Sequence, residues 1–251
     1  MKQLFFSLLL LFISINSYSQ IDNLEIQIPS AESECEYVWQ NIKDIKFFEA
    51  NGYSLSLPRH EFIDNLLEKS RNNSLSTHDF DSLKALMSQT VYQRNNYLKG
   101  QQIIVETIPT IQKAIAILSE IQLKWNFVQF PKYQIALTLY GPGGSYDPDL
   151  GRILLQTTTN GSFKGYNSPA NTIIHEIVHI GIESSIIKKY NLSHTQKERI
   201  VDKTVQILFG DLLSDYKLQG FGDSRIDKYL KSKDDFINLP SIIEAFLAEN
   251  K

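Results

Sequence analysis

The stretch from Asn171 to Glu183, Asn-Thr-Ile-Ile-His-Glu-Ile-Val-His-Ile-Gly-Ile-Glu, constrains this chain more than any other. Its histidines, His175 and His179, are four residues apart, so a helix sets both imidazoles on one face, one turn from each other. Ile173, Ile174, Ile177 and Val178 flank them with apolar side chains, as a buried helix beside a metal requires. Two neutral imidazoles at this spacing supply two corners of a tetrahedral Zn²⁺ site. Glu176, next to the first of them, is placed to lean toward the corner where water binds and to take its proton as general base.

Such a site needs a third donor. The pattern with a further histidine six residues after the second is absent, since Ser185 stands there. Instead Ser193 and Gln196 form a capping box that opens a second helix. On it Glu198 and Asp202 are four apart and share a face. Glu198 lies nineteen residues beyond His179, far enough for a turn and a helix that packs back on the first. His194, one turn before Glu198, and Glu183, one turn after His179, are rival donors. Glu183 is the poorer one, because three ligands along one straight helix do not converge well on one ion. Spacing leaves these alternatives open.

His175-Glu176-Ile177-Val178-His179 followed by Glu198-Arg199-Ile200-Val201-Asp202 resembles the gluzincin group of zinc metallopeptidases, of which thermolysin-like enzymes are the best known. The resemblance covers about residues 133–205. It implies that Glu198 is the third zinc ligand and that Asp202 hydrogen-bonds a ligand imidazole and fixes its tautomer. It also implies that a strand over 152–159 lies at a sheet edge, where an extended peptide or protein substrate binds. The His or Tyr that such peptidases place opposite the metal to stabilise an oxyanion is marked by no motif; His194, Tyr190, Tyr216 and Tyr229 are available. The function expected from these residues is zinc-dependent hydrolysis of peptide bonds. The alternatives are a catalytically silent zinc-binding scaffold on a metallopeptidase core, and a hydrolase of a non-peptide bond.

The rest of the chain supplies the frame. Residues 20–122 read as mainly helical, with apolar spacing at Val38, Ile42, Ile45 and Phe48, a helix opened by Pro58, another capped at Ser76, and one through Ile111 to Ile121 with Pro109 near its first turn. From Lys132 the period shortens: Ile135, Leu137 and Leu139 alternate with smaller or polar residues, and 152–159 is a second strand candidate. Gly141-Pro142-Gly143-Gly144 between them reads as a turn, since a phosphate loop needs a following helix and a Lys. The expected class is α+β, with a zincin-like region over 123–251 built on a small, mostly antiparallel sheet beside the metal-bearing helix, either separate from 20–122 or continuous with it. Residues 1–19, with Lys2, an apolar run from Leu4 to Ile15 and Ser17-Tyr18-Ser19, have the pattern of a secretory signal, so export to periplasm or medium is expected. A lone Cys35 excludes an internal disulfide and a cysteine metal site. A formal charge of −3 gives no reason to expect nucleic acid or an anionic membrane as partner.

Overall fold

The computed structural model describes residues 20–249 apart from 22, 123, 166, 167 and 221, and the export signal expected at 1–19 lies outside them. Two short strands, β1 (Gln20–Ile21) and β2 (Leu24–Gln27), come first. The spacing that reads as one helix as far as Asn51-Gly52 gives two: α1 (Ala31–Lys43), capped by Ser30, and α2 (Ile45–Ala50) after a break at Asp44. α3 (Glu61–Arg71) is capped by the His60 side chain rather than opened by Pro58. It ends at Asn72, and Asn73 takes a φ of 55°, a left-handed conformation that asparagine tolerates. At α4 (Thr77–Leu86) Ser76 and Asp79 cap each other reciprocally, an arrangement that contributes about 1 kcal/mol.

α5 (Asn95–Gln122) runs straight through Pro109, which was expected near a first turn and lies instead in the helix interior. A proline there costs about 3 kcal/mol through a lost hydrogen bond and a clash. The stripe Tyr97, Gly100, Ile104, Ile108, Ile111, Ile115 and Leu118 is buried both before and after it, and burial at roughly 2 kcal/mol per large apolar side chain outweighs that cost. Helix length here is set by packing, not by the local breaker.

β3 (Tyr133–Thr138), β4 (Ser145–Asp147) and β5 (Arg152–Gln156) complete a five-stranded sheet of order β1-β2-β3-β5-β4. The expected mostly antiparallel sheet is not what forms. β2 pairs with β3 and β3 with β5 in parallel, and only the outer pairs β1–β2 and β4–β5 are antiparallel. Parallel neighbours need long connections, and the whole helical segment from α1 to α5 serves as the crossover between β2 and β3. The strand expected at the edge, 152–159, is shorter and sits inside, paired on both sides; the edge belongs to β4. The glycine turn, with Gly141 and Gly143 at positive φ, carries the chain from β3 past β5 to that edge.

Four more helices follow: α6 (Pro169–Ile182), α7 (His194–Phe209), α8 (Lys233–Ile237) and α9 (Leu239–Glu249). The packing does not follow chain order. Leu24, Ile26 and the buried face of α5 belong to one large core with the sheet, α6, α7 and the C-terminal helices, while Val38, Ile42, Ile63, Leu66, Leu83 and Met87 form a smaller one. Glu34 joins the two. It is 2% exposed, and its Oε1 accepts from Tyr97 Oη at 2.8 Å, Thr138 Oγ1 at 3.0 Å and the Leu139 backbone N–H at 2.9 Å. No described helix is long and apolar enough to cross a membrane.

Burial raises the Glu34 carboxyl above its ordinary value of 4.5, against hydrogen bonds that favour the charged form. As pH rises past 4.5 the unfolded chain releases this proton before the native one does, so native stability declines over that window. Glu34→Gln keeps the acceptor and removes the charge, and its chemical denaturation should lack this component of the decline. Glu34→Ala strands three donors and should lose about 3 kcal/mol at pH 7. Urea melts from pH 4 to 8 measure both effects.

Candidate metal centre

α6 begins at Pro169, where its missing N–H costs nothing, and thirteen of its fourteen residues are buried. A helix apolar on every side needs neighbours on every side, and α5, α7, β4 and β5 supply them. At its C-terminal end a Cβ on Gly181 would stand 2.0 Å from the Phe127 ring, so only glycine lets that ring close over the helix. The histidines are therefore held in a rigid interior. His175 is 6% and His179 2% exposed, and their Nε2 atoms face each other at 3.0 Å.

α7 brings the third group. Ser193 and Gln196 form the expected capping box, and one turn on, Glu198 points back at α6. Its Oε2 lies 3.6 Å from His175 Nε2 and 3.3 Å from His179 Nε2. Bonds of about 2.0–2.1 Å at tetrahedral angles separate ligand atoms by about 3.3–3.4 Å. The three measured separations bracket that value. Without an ion the cluster is poorly satisfied: three lone-pair atoms share a space in which the imidazole pair can place only one proton between its nitrogens. One cation satisfies all three. Among the described residues, His175, His179 and Glu198 are the group placed so that it could hold a metal ion.

The charge states suit this. Burial pushes His179 down to about 4, keeping it neutral. Burial also opposes ionisation of Glu198, but the imidazoles of His175 and His179 beside it outweigh this and hold the carboxyl well below its usual range. Burial opposes the charged form of His175 too, but Glu198, Glu176 and Asp202 around it raise that imidazole above its ordinary value, so the two histidines differ in charge preference until a cation takes the place of the proton.

Behind His175 the hydrogen bonds run through a tyrosine. Asp202, fully buried, was expected to bond a ligand imidazole directly, yet its Oδ1 is 3.6 Å from His175 Nδ1. The Tyr216 hydroxyl lies between them, 2.7 Å from each. It donates to Asp202 and accepts from His175 Nδ1–H, which leaves the Nε2 lone pair directed into the cluster. The other Asp202 oxygen accepts from the Gln219 backbone N–H at 2.6 Å, and the Gln219 side-chain Nε2 lies 3.4 Å from both His175 Nε2 and Glu198 Oε2. His179 has no such support, since no described residue hydrogen-bonds its buried Nδ1.

The rival donors are placed elsewhere. His194, its side chain 58% exposed, reaches the other Glu198 oxygen at 3.5 Å, and Glu183 accepts from Tyr146 Oη at 2.9 Å. Tyr190 bonds Glu244 and Tyr229 bonds Glu249, at the C-terminal helix and not at the cluster. Of the available tyrosines only Tyr216 touches the cluster, from behind the imidazole. Tyr146 carries no sequence signal, because β4 is too short for a period to register. Its ring lies 4.8 Å from that of His179 and nearly parallel to it, and its hydroxyl accepts from Lys197 Nζ at 3.1 Å.

Glu176 is 8% exposed, and burial pushes its carboxyl up to about 7. It faces a cleft of 550 Å³ that His175, His179 and Glu198 also line, together with Tyr53, Ser145, Tyr146 and Lys197. A Cβ on Gly144 would stand 3.2 Å from Glu176 Oε1, so a glycine at the start of the edge strand keeps space clear at this carboxyl. A buried acid poised near neutrality beside a metal-holding group is a candidate proton carrier.

Divalent-metal titration checks the centre directly. One ion per chain is expected. Glu198→Ala should lower affinity sharply, because it removes the only anion among the three donors. Tyr216→Phe, which breaks the link to Asp202, should lower it by about 10- to 100-fold, as loss of a ligand's supporting hydrogen bond does. His194→Ala should leave it within about twofold of wild type, a surface change well under 1 kcal/mol.

Comparison of the chain with protein-family models, with curated proteins and with solved structures finds no match. The assignment of these residues therefore rests on their geometry and on the motif in which they stand.

Proposed function

We propose that this chain is a zinc-dependent metallohydrolase of the gluzincin type that cleaves peptide bonds, with His175, His179 and Glu198 holding the ion and Glu176 serving as general base. The observation that carries the proposal is the pair of carboxylates with opposite character at one site. Glu198 is ionised by its imidazole neighbours, as a ligand must be, while Glu176 is raised to about 7 in the same cleft, as a group that accepts and returns protons near neutrality must be. A site that only held a structural ion has no use for the second carboxylate. Two imidazoles and a carboxylate are a donor set suited to Zn²⁺, whose Lewis acidity lowers the pKa of a bound water and polarises a carbonyl. Glu176 takes a proton from the attacking water and delivers it to the leaving amine nitrogen. Tyr216 and Asp202 hold the His175 ring in one tautomer throughout, and the apolar wall of α6 keeps bulk water from competing for these bonds.

A peptide is the substrate class that the surroundings favour. β4 is one of the two edge strands of the sheet, and its residues Ser145 and Tyr146 line the cleft with His175 and Glu176. An edge strand offers a row of unpaired backbone groups, which an extended chain matches better than other ligands do. The edge open to a substrate is thus 145–147 and not 152–159, whose strand is interior.

Glu176→Gln tests the role of the base. Zinc content should equal that of wild type, while hydrolysis of a peptide-library substrate falls by at least about 10²- to 10⁴-fold, the usual contribution of a positioned base. Zinc-loaded wild type that cleaves no member of such a library overturns the peptidase reading. A Glu176→Gln variant as active as wild type overturns the base assignment.

A further inference from the structure

Resting on the metal site proposed above, we infer that Gln219 is a fourth protein ligand to the ion, through its side-chain amide oxygen. Nothing in its sequence surroundings marks this residue; its position does. The amide end of Gln219 stands 3.4 Å from His175 Nε2 and 3.4 Å from Glu198 Oε2. With the separations of 3.0, 3.6 and 3.3 Å within the His175, His179 and Glu198 group, five edges of a four-atom figure fall between 3.0 and 3.6 Å. A tetrahedron around bonds of about 2.0–2.1 Å has edges of about 3.3–3.4 Å. The five separations bracket that value, and the Gln219 amide is the side chain within reach of the fourth corner.

The side chain is aimed there by its backbone. The Gln219 N–H is bonded at 2.6 Å to Asp202 Oδ2, so the carboxylate that steadies His175 through Tyr216 also pins the main chain of Gln219. The amide nitrogen faces two acceptors, His175 Nε2 and Glu198 Oε2. The two ends of an amide are nearly identical in size, so a half-turn about the last side-chain bond puts the oxygen in the same place, and a cation selects that orientation.

Chemical consequences follow from position. Gln219, His175, Glu176 and Gly144 line both the 550 Å³ cleft and a second cavity of 420 Å³, which Lys164 and Lys217 also line. The amide therefore stands where the two meet. A neutral amide is a weak ligand, and any anion, water or carbonyl that reaches the ion from either cavity competes with it. The resting site is closed by its own chain.

The test uses the full chain loaded with Co²⁺, titrated with azide and followed by visible absorption. Gln219→Ala should bind azide about tenfold more tightly than wild type, and its absorption before azide should already differ, because solvent replaces the amide. Gln219→Glu retains the length of the side chain and supplies an anion. It should bind Co²⁺ more tightly than wild type and azide more weakly. Equal azide affinity and equal spectra in wild type and Gln219→Ala overturn this inference alone. If the alanine variant does not fold, unchanged Co²⁺ affinity in Gln219→Glu overturns it instead. Failure of wild type to take up Co²⁺ stoichiometrically overturns the metal site as well.

Discussion

Two imidazole nitrogens and a carboxylate oxygen converge on one point in the interior, and much of the molecule is arranged so that they can. Groups of this kind left unpaired in an apolar surrounding cost several kcal/mol, which ordinary core packing does not offset. What makes the arrangement tenable is that each donor is fixed from outside the cluster. α6 is wedged between α5, α7 and the sheet, so His175 and His179 cannot swing away. Glu198 is placed by the capped start of α7. The bonds from Asp202 through Tyr216 to His175 tie the irregular segment after α7 to the same point. An ion held there would cross-link α6 to α7, and metal binding and local stability would then be one quantity.

The same neighbourhood gives similar side chains different tasks. Glu176 and Glu198 are both nearly buried carboxylates in one cleft. Glu198 faces two imidazoles and ionises; burial, with the Glu198 carboxylate nearby, holds the Glu176 proton to about 7. Tyrosines divide in a similar way. Tyr216 orients a ligand from behind, while Tyr146, stacked on His179 and bonded to Glu183 and Lys197, walls the cleft from the sheet edge. Environment assigns the role more than residue type does.

Glu34 shows how the frame is held to the site. It binds α1 to α5 and to the end of β3, where the glycine turn departs for the edge strand. A Cβ on Gly141 in that turn would stand 2.5 Å from the Tyr37 hydroxyl, so the close approach of α1 also depends on a residue without a side chain. The edge that borders the cleft is thus positioned from the helical region, although that region carries none of the metal-holding residues.

Local order was legible in the sequence. The pairing of His175 with His179 on one helical face, the capping boxes at Ser76 and Ser193, and the alternation through Ile135 and Leu137 depend on contacts within a turn or along one strand, and periodicity records those contacts directly. The passage of α5 through Pro109, the parallel pairings, the interior place of β5 and the edge position of β4 were not legible, because each is settled by partners far away in the chain. The site divides along the same line. The helix motif pointed to two candidate donors and a candidate base from spacing alone. The meeting of Glu198 with those donors, the insertion of Tyr216 between His175 and Asp202, and the approach of Gln219 are properties of α7 and of the irregular segment after it packing against α6. A period of 3.6 residues specifies which side chains share a face; only the packing of one element on another specifies what that face meets.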